Sequence, residues 1–452
     1  MMSLSIVILA AGKGTRMRSD LPKVLQSLAH KPLLGYVIDA AVTFNPEPLI
    51  VVYGCGGDIV KKTFPSQKIQ WVEQKEQLGT GHALQQTLPF IKDVGSTLIL
   101  YGDVPLIDHT TIRKLIQKGQ THLAVLTFNK QDPTGYGRMI RESGKIKKIV
   151  EENDCDDLQK NIQEINTGIM CAPNALLKNW LSRLNNRNNQ KEYYLTDIVR
   201  LSIEDNIEVL SESADNEVSI TGINSKSELA TMERNYQLMT AQKLMEQGVT
   251  IMDPARIDIR GELIAGKDVT IDIGCVFEGK VVLGNNVRVS AYSYIKDSVI
   301  GDSSMIEAYS HIVESQIGEH VRIGPFARLR PGTQLKNNVH IGNFVEIKNS
   351  QVNENTNINH LSYVGDSHVG KSVNIGAGTI TCNYDGTNKH QTIIEDEVFI
   401  GSNTALVAPV KIGKGATIAA GSTITKDAPP GELTVSRDKQ TSIAGWKKPT
   451  KK

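Results

Sequence analysis

Two hydrophobic rhythms divide this chain. Up to about residue 224, apolar runs such as Ile6 to Leu9, Leu49 to Tyr53, Trp71 to Val72 and Leu98 to Leu100 alternate with amphipathic helical stretches. That alternation predicts an α/β domain with a largely parallel sheet and a ligand site at the carboxyl ends of its strands. From Ile271 to Ile424 the period becomes six. The marks run Ile271, Phe277, Leu283, Val289, Ile295, and the series restarts one residue early at Ile300, Ile317, Val352 and Val369. It closes with the clean run Ile394, Ile400, Leu406, Ile412, Ile418, Ile424, and glycine often follows the mark, as in Ile341-Gly342 and Ile400-Gly401. A six-residue period fits neither an amphipathic helix nor the two-residue alternation of a half-buried strand. Each hexad therefore predicts one short strand and one corner of a parallel β-helix. Between the two rhythms, Ser225-Lys226-Ser227-Glu228-Leu229 opens a proline-free helical stretch reaching about Gly248. The expected organisation is an α/β domain over 1–226, a connecting helix over 227–247 and the hexad domain over 248–452.

Composition narrows the function classes. Lysine plus arginine (50) nearly balances aspartate plus glutamate (49), and the basic end at Trp446-Lys447-Lys448-Pro449-Thr450-Lys451-Lys452 reads as a solvated tail, so nucleic acid is not the default partner. The start runs from Met1-Met2-Ser3-Leu4 straight into a first strand and a glycine-rich loop, without the features of a signal peptide. No apolar run reaches membrane-spanning length. Five scattered cysteines (Cys55, Cys155, Cys171, Cys275, Cys382) make no C-x-x-C pair, which argues against a zinc site or disulfide framework and suits a reducing cytoplasm.

Three loops at predicted strand ends carry chemistry. Leu9-Ala10-Ala11-Gly12-Lys13-Gly14-Thr15-Arg16-Met17 follows the first strand; its glycines allow backbone amides close to phosphates, while Lys13 and Arg16 add positive charge. It is not a Walker loop, because Val7 stands where that motif needs a glycine, and the third glycine of a dinucleotide fingerprint is missing too. Alone, such a loop is as readily an ordinary turn. Its company is Leu21-Pro22-Lys23, Gln77-Leu78-Gly79-Thr80-Gly81-His82-Ala83 and Tyr101-Gly102-Asp103-Val104-Pro105-Leu106. An aspartate at a strand end beside a phosphate loop suits Mg²⁺, which takes one or two protein oxygens plus substrate phosphates.

These segments resemble the signatures of the sugar-1-phosphate nucleotidyltransferases. With the hexads added, the whole chain resembles the bacterial bifunctional N-acetylglucosamine-1-phosphate uridyltransferases and glucosamine-1-phosphate N-acetyltransferases. The resemblance implies a Rossmann-like nucleotidyltransferase domain, a connecting helix and a left-handed β-helix. It implies a cytoplasmic homotrimer supplying UDP-N-acetylglucosamine for peptidoglycan and lipopolysaccharide. UTP would be held by Leu9, Ala10, Ala11, Gly12, Lys23, Gln74, Gly79 and Thr80, and the sugar nucleotide by Tyr101, Gly102, Asp103, Gly137, Glu151, Asn166 and Asn224. Asp103 and Asn224 would bind Mg²⁺, and Arg16 with Lys23 would neutralise charge developing toward the leaving pyrophosphate.

The ladder alone suits either an acyltransferase or a structural oligomerisation tail. Arg330, Lys348, His360, Tyr363 and Asn374 are polar residues off the inward marks, and each alone reads as an ordinary surface residue. Together they suit a phosphosugar: Arg330 and Lys348 for its phosphate, Tyr363 and Asn374 for hydroxyl or amine groups, His360 for a proton. One long break, Cys382 to Ile393, predicts a protruding loop. Asn359-His360-Leu361-Ser362-Tyr363 and Asn374-Ile375-Gly376-Ala377-Gly378-Thr379 resemble the acetyltransferase half of the same family. That likeness implies His360 as proton acceptor, Lys389 as a further amino-sugar contact, and acetyl-CoA contacts at Ala377, Asn383, Tyr384, Ser402, Ala420 and Arg437. His390-Gln391 and Asp438-Lys439 depart from the family pattern near the CoA arm. The rival readings are a single-function pyrophosphorylase whose hexads only assemble subunits, and a scaffolding subunit without chemistry.

Overall fold

The computed structural model describes residues 3–54, 56–65 and 68–448, so Met1, Met2, Cys55, Ser66, Gln67 and the last four residues of the basic tail lie outside it. The chain forms two compact units, Met1–Asn235 and Tyr236–Lys452.

The first unit is built on nine strands: β1 (Leu4–Ala10), β2 (Leu49–Tyr53), β3 (Gln70–Glu73), β4 (Ser96–Tyr101), β5 (Leu123–Asn129), β6 (Gly137–Glu142), β7 (Lys145–Val150), β8 (Glu164–Pro173) and β9 (Val209–Ser213). The sheet order is β9-β5-β8-β4-β1-β2-β3, with β6 and β7 branching from β8. All neighbours on that path are parallel except β8, which runs antiparallel to both β4 and β5. The sheet is thus largely parallel, as expected, with one reversed strand. Periodicity cannot see this, because strand direction leaves no trace in a buried apolar run. Alternate side chains of β1 feed opposite cores: Ile6 and Ile8 pack toward the helix Leu33–Val42, Val7 and Leu9 toward Leu84 and Trp180. Both faces are covered, so the loops at the strand carboxyl ends remain as the open edge of the sheet.

The helix Lys226–Glu246 occupies the predicted connecting stretch. The Ser225 hydroxyl accepts the Glu228 N–H at 3.2 Å and the Glu228 carboxylate accepts the Asn224 N–H at 2.6 Å, which fixes the helix start and the backbone of Asn224.

The second unit is a parallel β-helix. Ile306 pairs with Ile323 and Ile323 with Ile341, so a coil takes 17 or 18 residues, three hexads, and the early restarts are coils one residue shorter. Every aliphatic mark from Ile271 to Ile424 is at most 4% exposed. The coils also extend past the ladder read from sequence. Thr250–Ile251 pairs with Thr270–Ile271 and Ile257–Ala265 with Cys275–Leu283, a complete coil before the first mark, and Leu433–Thr434 pairs with Thr417–Ile418 after the last. That first coil contains Asp253-Pro254, and Ala265 stands where Leu283 is the mark in the next coil, which hid its period.

One corner of the prism is built throughout from residues at positive φ: Tyr292, Tyr309, Phe326, Phe344 and Leu361, then Gly378, Asn403 and Gly421 in later coils. The rings of Tyr292, Tyr309, Phe326 and Phe344 stack with centroids 5.3, 5.0 and 5.3 Å apart, close to the strand spacing of about 4.8 Å. This ridge is solvent-facing in the single chain, each residue from Tyr292 to Leu361 being 48–63% exposed.

No helix among the described residues is long and apolar enough to cross a membrane. The described cysteines are all free, and burial pushes the Cys171 and Cys275 thiols up to about 12 and about 11.

Candidate active sites

In the first unit, three strand ends converge. Leu9 to Gly12 leave β1, Gln74 follows β3 and Tyr101 and Asp103 stand at the end of β4; with Lys23, Gly79 and Thr80 they line one cavity of about 410 Å³. The loop geometry depends on glycine at two places. Gly14 has φ +61°, and a Cβ there would stand 2.7 Å from Lys23 Cβ, so the bare backbone lets Lys23 lie against the loop. Gly79 has φ +107°, and its Cβ would meet the Tyr193 carbonyl at 2.7 Å. The buried Gln74 amide donates to the Gly79 carbonyl at 3.0 Å and holds that loop from beneath.

Lys23 is the hub of the charged part. Its ammonium donates to Asp103 Oδ2 and, at 3.0 Å, to Asn224 Oδ1. Two oxygens from segments far apart in sequence therefore face a single point. The Ile223 N–H donates to the Asp103 carbonyl at 3.0 Å and keeps the two segments together. Among the described residues no group of three or more His, Cys, Asp or Glu side chains is arranged to hold a metal. The Asp103 and Asn224 oxygens, both taken here by the Lys23 ammonium, are of the kind a hard cation binds. Arg16 is exposed in the short helical turn Thr15–Met17 and does not line the cavity.

The remaining expected sugar contacts also gather. Gly137 pairs with Asn166 across the strands, and a Cβ on Gly137 would lie 3.4 Å from Glu151 Oε2. The Thr196 hydroxyl, absent from the sequence reading, donates to Glu151 Oε1 at 2.7 Å. Burial raises the Glu151 pKa despite that bond, with Asp154 and Asp197 adding to the shift. Burial, then the charges of Glu151 and Asp103, push the Tyr101 hydroxyl up.

In the second unit, the expected residues divide between two faces that meet at the ridge. On one face Arg330 pairs with Glu346 at 2.9 Å, and Asp366 is shared: Lys348 approaches it at 3.7 Å, Asn349 donates at 2.7 Å and Asn383 donates as well. Burial alone would raise the Asp366 pKa, but the bonds from Asn349 and Asn383 and the charges of Lys348 and Lys389 hold it below the usual carboxylate range. Lys389 is lowered by its contact with Lys348 and by that charge. Tyr363 joins this group through Asn383 Nδ2, 3.5 Å from its hydroxyl.

His360 and Asn374 stand on the adjoining face. From His360 a stripe climbs beside the same corner, above the ridge. The Gly378 N–H donates to the His360 carbonyl, that of Asn403 to Ala377, that of Gly421 to Ser402, and the Arg437 guanidinium to Ala420. Four of the expected acetyl-CoA residues, Ala377, Ser402, Ala420 and Arg437, thus lie in successive coils above His360. The predicted loop is present and carries exposed Tyr384; His390 is held by Asp385 at 2.7 Å, which gives the departure from the family pattern a local structural role. A shallow cavity of about 350 Å³ beside His360 is lined by Arg322, Phe326, His340, Asn343, Phe344 and Asn359. Asn343 escaped the sequence reading, although it lies one coil before His360 and the coil period could have paired them.

Comparison with known proteins gives the same two-part division. Residues 6–165 match the MobA-like NTP transferase domain, residues 259–335 the GMPPB C-terminal domain and residues 391–426 the bacterial transferase hexapeptide, six repeats. Proteins described as bifunctional protein GlmU align end to end. That of Azoarcus is 54% identical over 99% of this chain and 100% of its own length, and that of Nitrosospira multiformis 55% over 100% and 99%. That of Methylobacillus flagellatus is 56% identical over 99% and 98%. A single-function pyrophosphorylase with a structural tail is set aside by relatives named as bifunctional over their full length. The chain therefore belongs to the GlmU family of bifunctional enzymes of UDP-N-acetylglucosamine synthesis, with a uridylyltransferase unit followed by a hexapeptide acetyltransferase unit.

Proposed function

We propose that glucosamine 1-phosphate is acetylated at the stripe above His360 and that its product is uridylylated in the cavity around Lys23. The observation that carries this division is the register-built stripe from His360 to Arg437, an extended track beside a histidine, which suits a long thin acyl carrier. The amino sugar phosphate would lie against Arg330, Lys348, Tyr363, Asn374 and Lys389, with Asn383 and Tyr384 flanking the acetyl-CoA track. His360 Nε2 takes a proton from the amine as its nitrogen bonds to the thioester carbon. The carbon–sulfur bond then breaks and the departing thiolate is protonated.

In the nucleotide cavity, Leu9 to Gly12, Gln74, Gly79 and Thr80 would hold UTP. Tyr101, Gly102, Gly137, Glu151 and Asn166 would hold the sugar. A phosphate oxygen of N-acetylglucosamine 1-phosphate bonds to the α-phosphorus while the bond to the pyrophosphate oxygen breaks. The attacking phosphate is already ionised, so Lys23, and Arg16 if its loop folds inward over bound nucleotide, act by neutralising charge. Asp103 and Asn224 would hold Mg²⁺, which when bound would supply positive charge to offset that of the phosphates.

The working form would be a homotrimer, with the aromatic ridge covered by a neighbouring copy. Aromatic side chains at positive φ are strained, and a contact with another subunit offsets that cost.

One incubation tests the division: glucosamine 1-phosphate, acetyl-CoA, UTP and Mg²⁺ with thiol and pyrophosphate release followed separately. The native chain should release both, and Lys23→Ala should keep thiol release while losing about 100-fold or more of pyrophosphate release. Parallel loss of both products from Lys23→Ala would defeat the assignment.

A further inference from the structure

We propose that Asn343 is the positioning residue that fixes the proton of the His360 ring. This rests on His360 as the proton acceptor, and the test below separates the two claims. Asn343 ends the strand His340–Asn343, and His360 ends the next strand on the same face, Asn357–His360; the two are register partners. Asn343 Oδ1 lies 2.9 Å from His360 Nδ1. A carboxamide oxygen only accepts, so the ring must carry its hydrogen on Nδ1 to make this bond. Nε2 is then left with its lone pair and can take the proton of an amine. The opposite tautomer would place Nε2–H toward the substrate and face two acceptors against each other at Nδ1.

The other charged and titratable groups about the ring do not do this work. Arg322 and His340 line the same cavity from the preceding coil and the same strand, and Arg322 is held by Glu307 at 2.9 Å. Burial, then the charges of Arg322 and His360, keep His340 below the usual histidine range. No carboxylate is bonded to His360 among the described residues, so the tautomer rests on a neutral amide that fixes geometry without adding charge. A carboxylate in its place would favour the imidazolium.

The test uses the full-length protein and four variants. Asn343→Ala should lower kcat of acetyl transfer about 10- to 100-fold, the cost usual for losing a group that orients a reactive histidine. KM for acetyl-CoA and glucosamine 1-phosphate, and uridylyl transfer, should stay within about twofold. Asn343→Asp keeps an acceptor oxygen and should recover most of the rate at high pH, with the acidic limb of the pH–rate profile moved to higher pH. Adding Asn343→Ala to His360→Ala should cost nothing further, because Asn343 acts only through the ring. Full activity in Asn343→Ala, a further loss in the double variant, or an Asn343→Asp no better than Asn343→Ala would each overturn the proposal. A His360→Ala enzyme that still acetylates at native rate would instead overturn the underlying assignment of His360.

Discussion

Before His360 the positive-φ corner of the β-helix carries Tyr292, Tyr309, Phe326 and Phe344; after it the same corner carries Gly378, Asn403 and Gly421. The backbone requirement is identical in every coil, yet the side chains are opposite in size. Glycine and asparagine are what a left-handed corner accepts at least cost, so the later coils follow local preference and the earlier coils defy it. Local rules are broken where something beyond the local chain is gained. Four stacked rings make a straight, rigid, apolar edge suited to another subunit. A bare corner leaves room beside Ala377, Ser402 and Ala420 for an extended ligand. The change falls at Leu361, next to His360, so the ridge ends where the proposed acetyl-transfer site begins.

The largest test of that boundary is the histidine itself. His360→Ala should cut acetyl transfer by about 10³-fold, within the usual range for losing a general base, while pyrophosphate release from UTP continues. A thiol-release assay retaining most of its rate would move the chemistry off the boundary altogether.

Next comes an exchange of character across it. Gly378→Phe places a ring on the bare half, where even a Cβ would meet Asn403 Oδ1 at 2.5 Å. We expect KM for acetyl-CoA to rise about 100-fold, because a ring there fills space a ligand would occupy, with uridylyl transfer intact. Gly378→Asn, which tolerates the positive φ with less bulk, should lose much less. If both fall equally, the bare corner serves backbone conformation and not the ligand.

The converse exchange is gentler. Phe326→Asn with Phe344→Asn keeps residues that accept the conformation and removes two central rings of the ridge. Light scattering should show a shift toward monomer at low protein concentration, with acetyl transfer falling about tenfold and recovering as concentration is raised. A variant that remains fully assembled would mean the rings do not face a subunit.

How legible all this was depends on what kind of rule each feature obeys. The inward marks from Ile271 to Ile424 were readable because burial repeats with a fixed period. The coil before Ile271 was not, since Asp253-Pro254 breaks that rhythm while backbone pairing continues through it. The reversal of β8 was hidden for a related reason, as a buried strand is apolar in either direction. In the nucleotide site the quoted loops proved to be neighbours, but the convergence of Asp103 and Asn224 on Lys23 depends on contacts across 80 and 201 residues that no spacing records. Arg16, expected from its charge in the glycine-rich loop, is exposed and does not line the cavity. The ridge was in plain view in the sequence, yet its meaning required knowing that Tyr309, Phe326 and Phe344 share one corner and one sign of φ.

The smallest expected effect concerns Asp366, on the lysine-rich face beside the ridge. Hydrogen bonds from Asn349 and Asn383 and the charges of Lys348 and Lys389 outweigh its burial and hold its native pKa below the ordinary value of 3.8. Between those two values the unfolded chain binds the proton more readily, so stability rises with pH there. The contribution is complete above the ordinary value and is lost as pH falls through the native one. Glu151, pushed up by burial, has the opposite sign: its contribution is lost as pH rises from the ordinary 4.5 through the raised native value. Asp366→Asn should therefore flatten the acid side of the thermal midpoint's pH profile, and Glu151→Gln should flatten the side above it. Each change should amount to about 2–4 °C, consistent with partial exposure and units of this size. Asp366 is also the counter-charge for two lysines that repel each other, as the lowered Lys389 shows. In Asp366→Asn that repulsion has no internal balance, so added phosphate or glucosamine 1-phosphate should raise the thermal midpoint more in the variant than in the native chain. Equal shifts in both would place the phosphate elsewhere and detach the lysine face from the site beside the ridge.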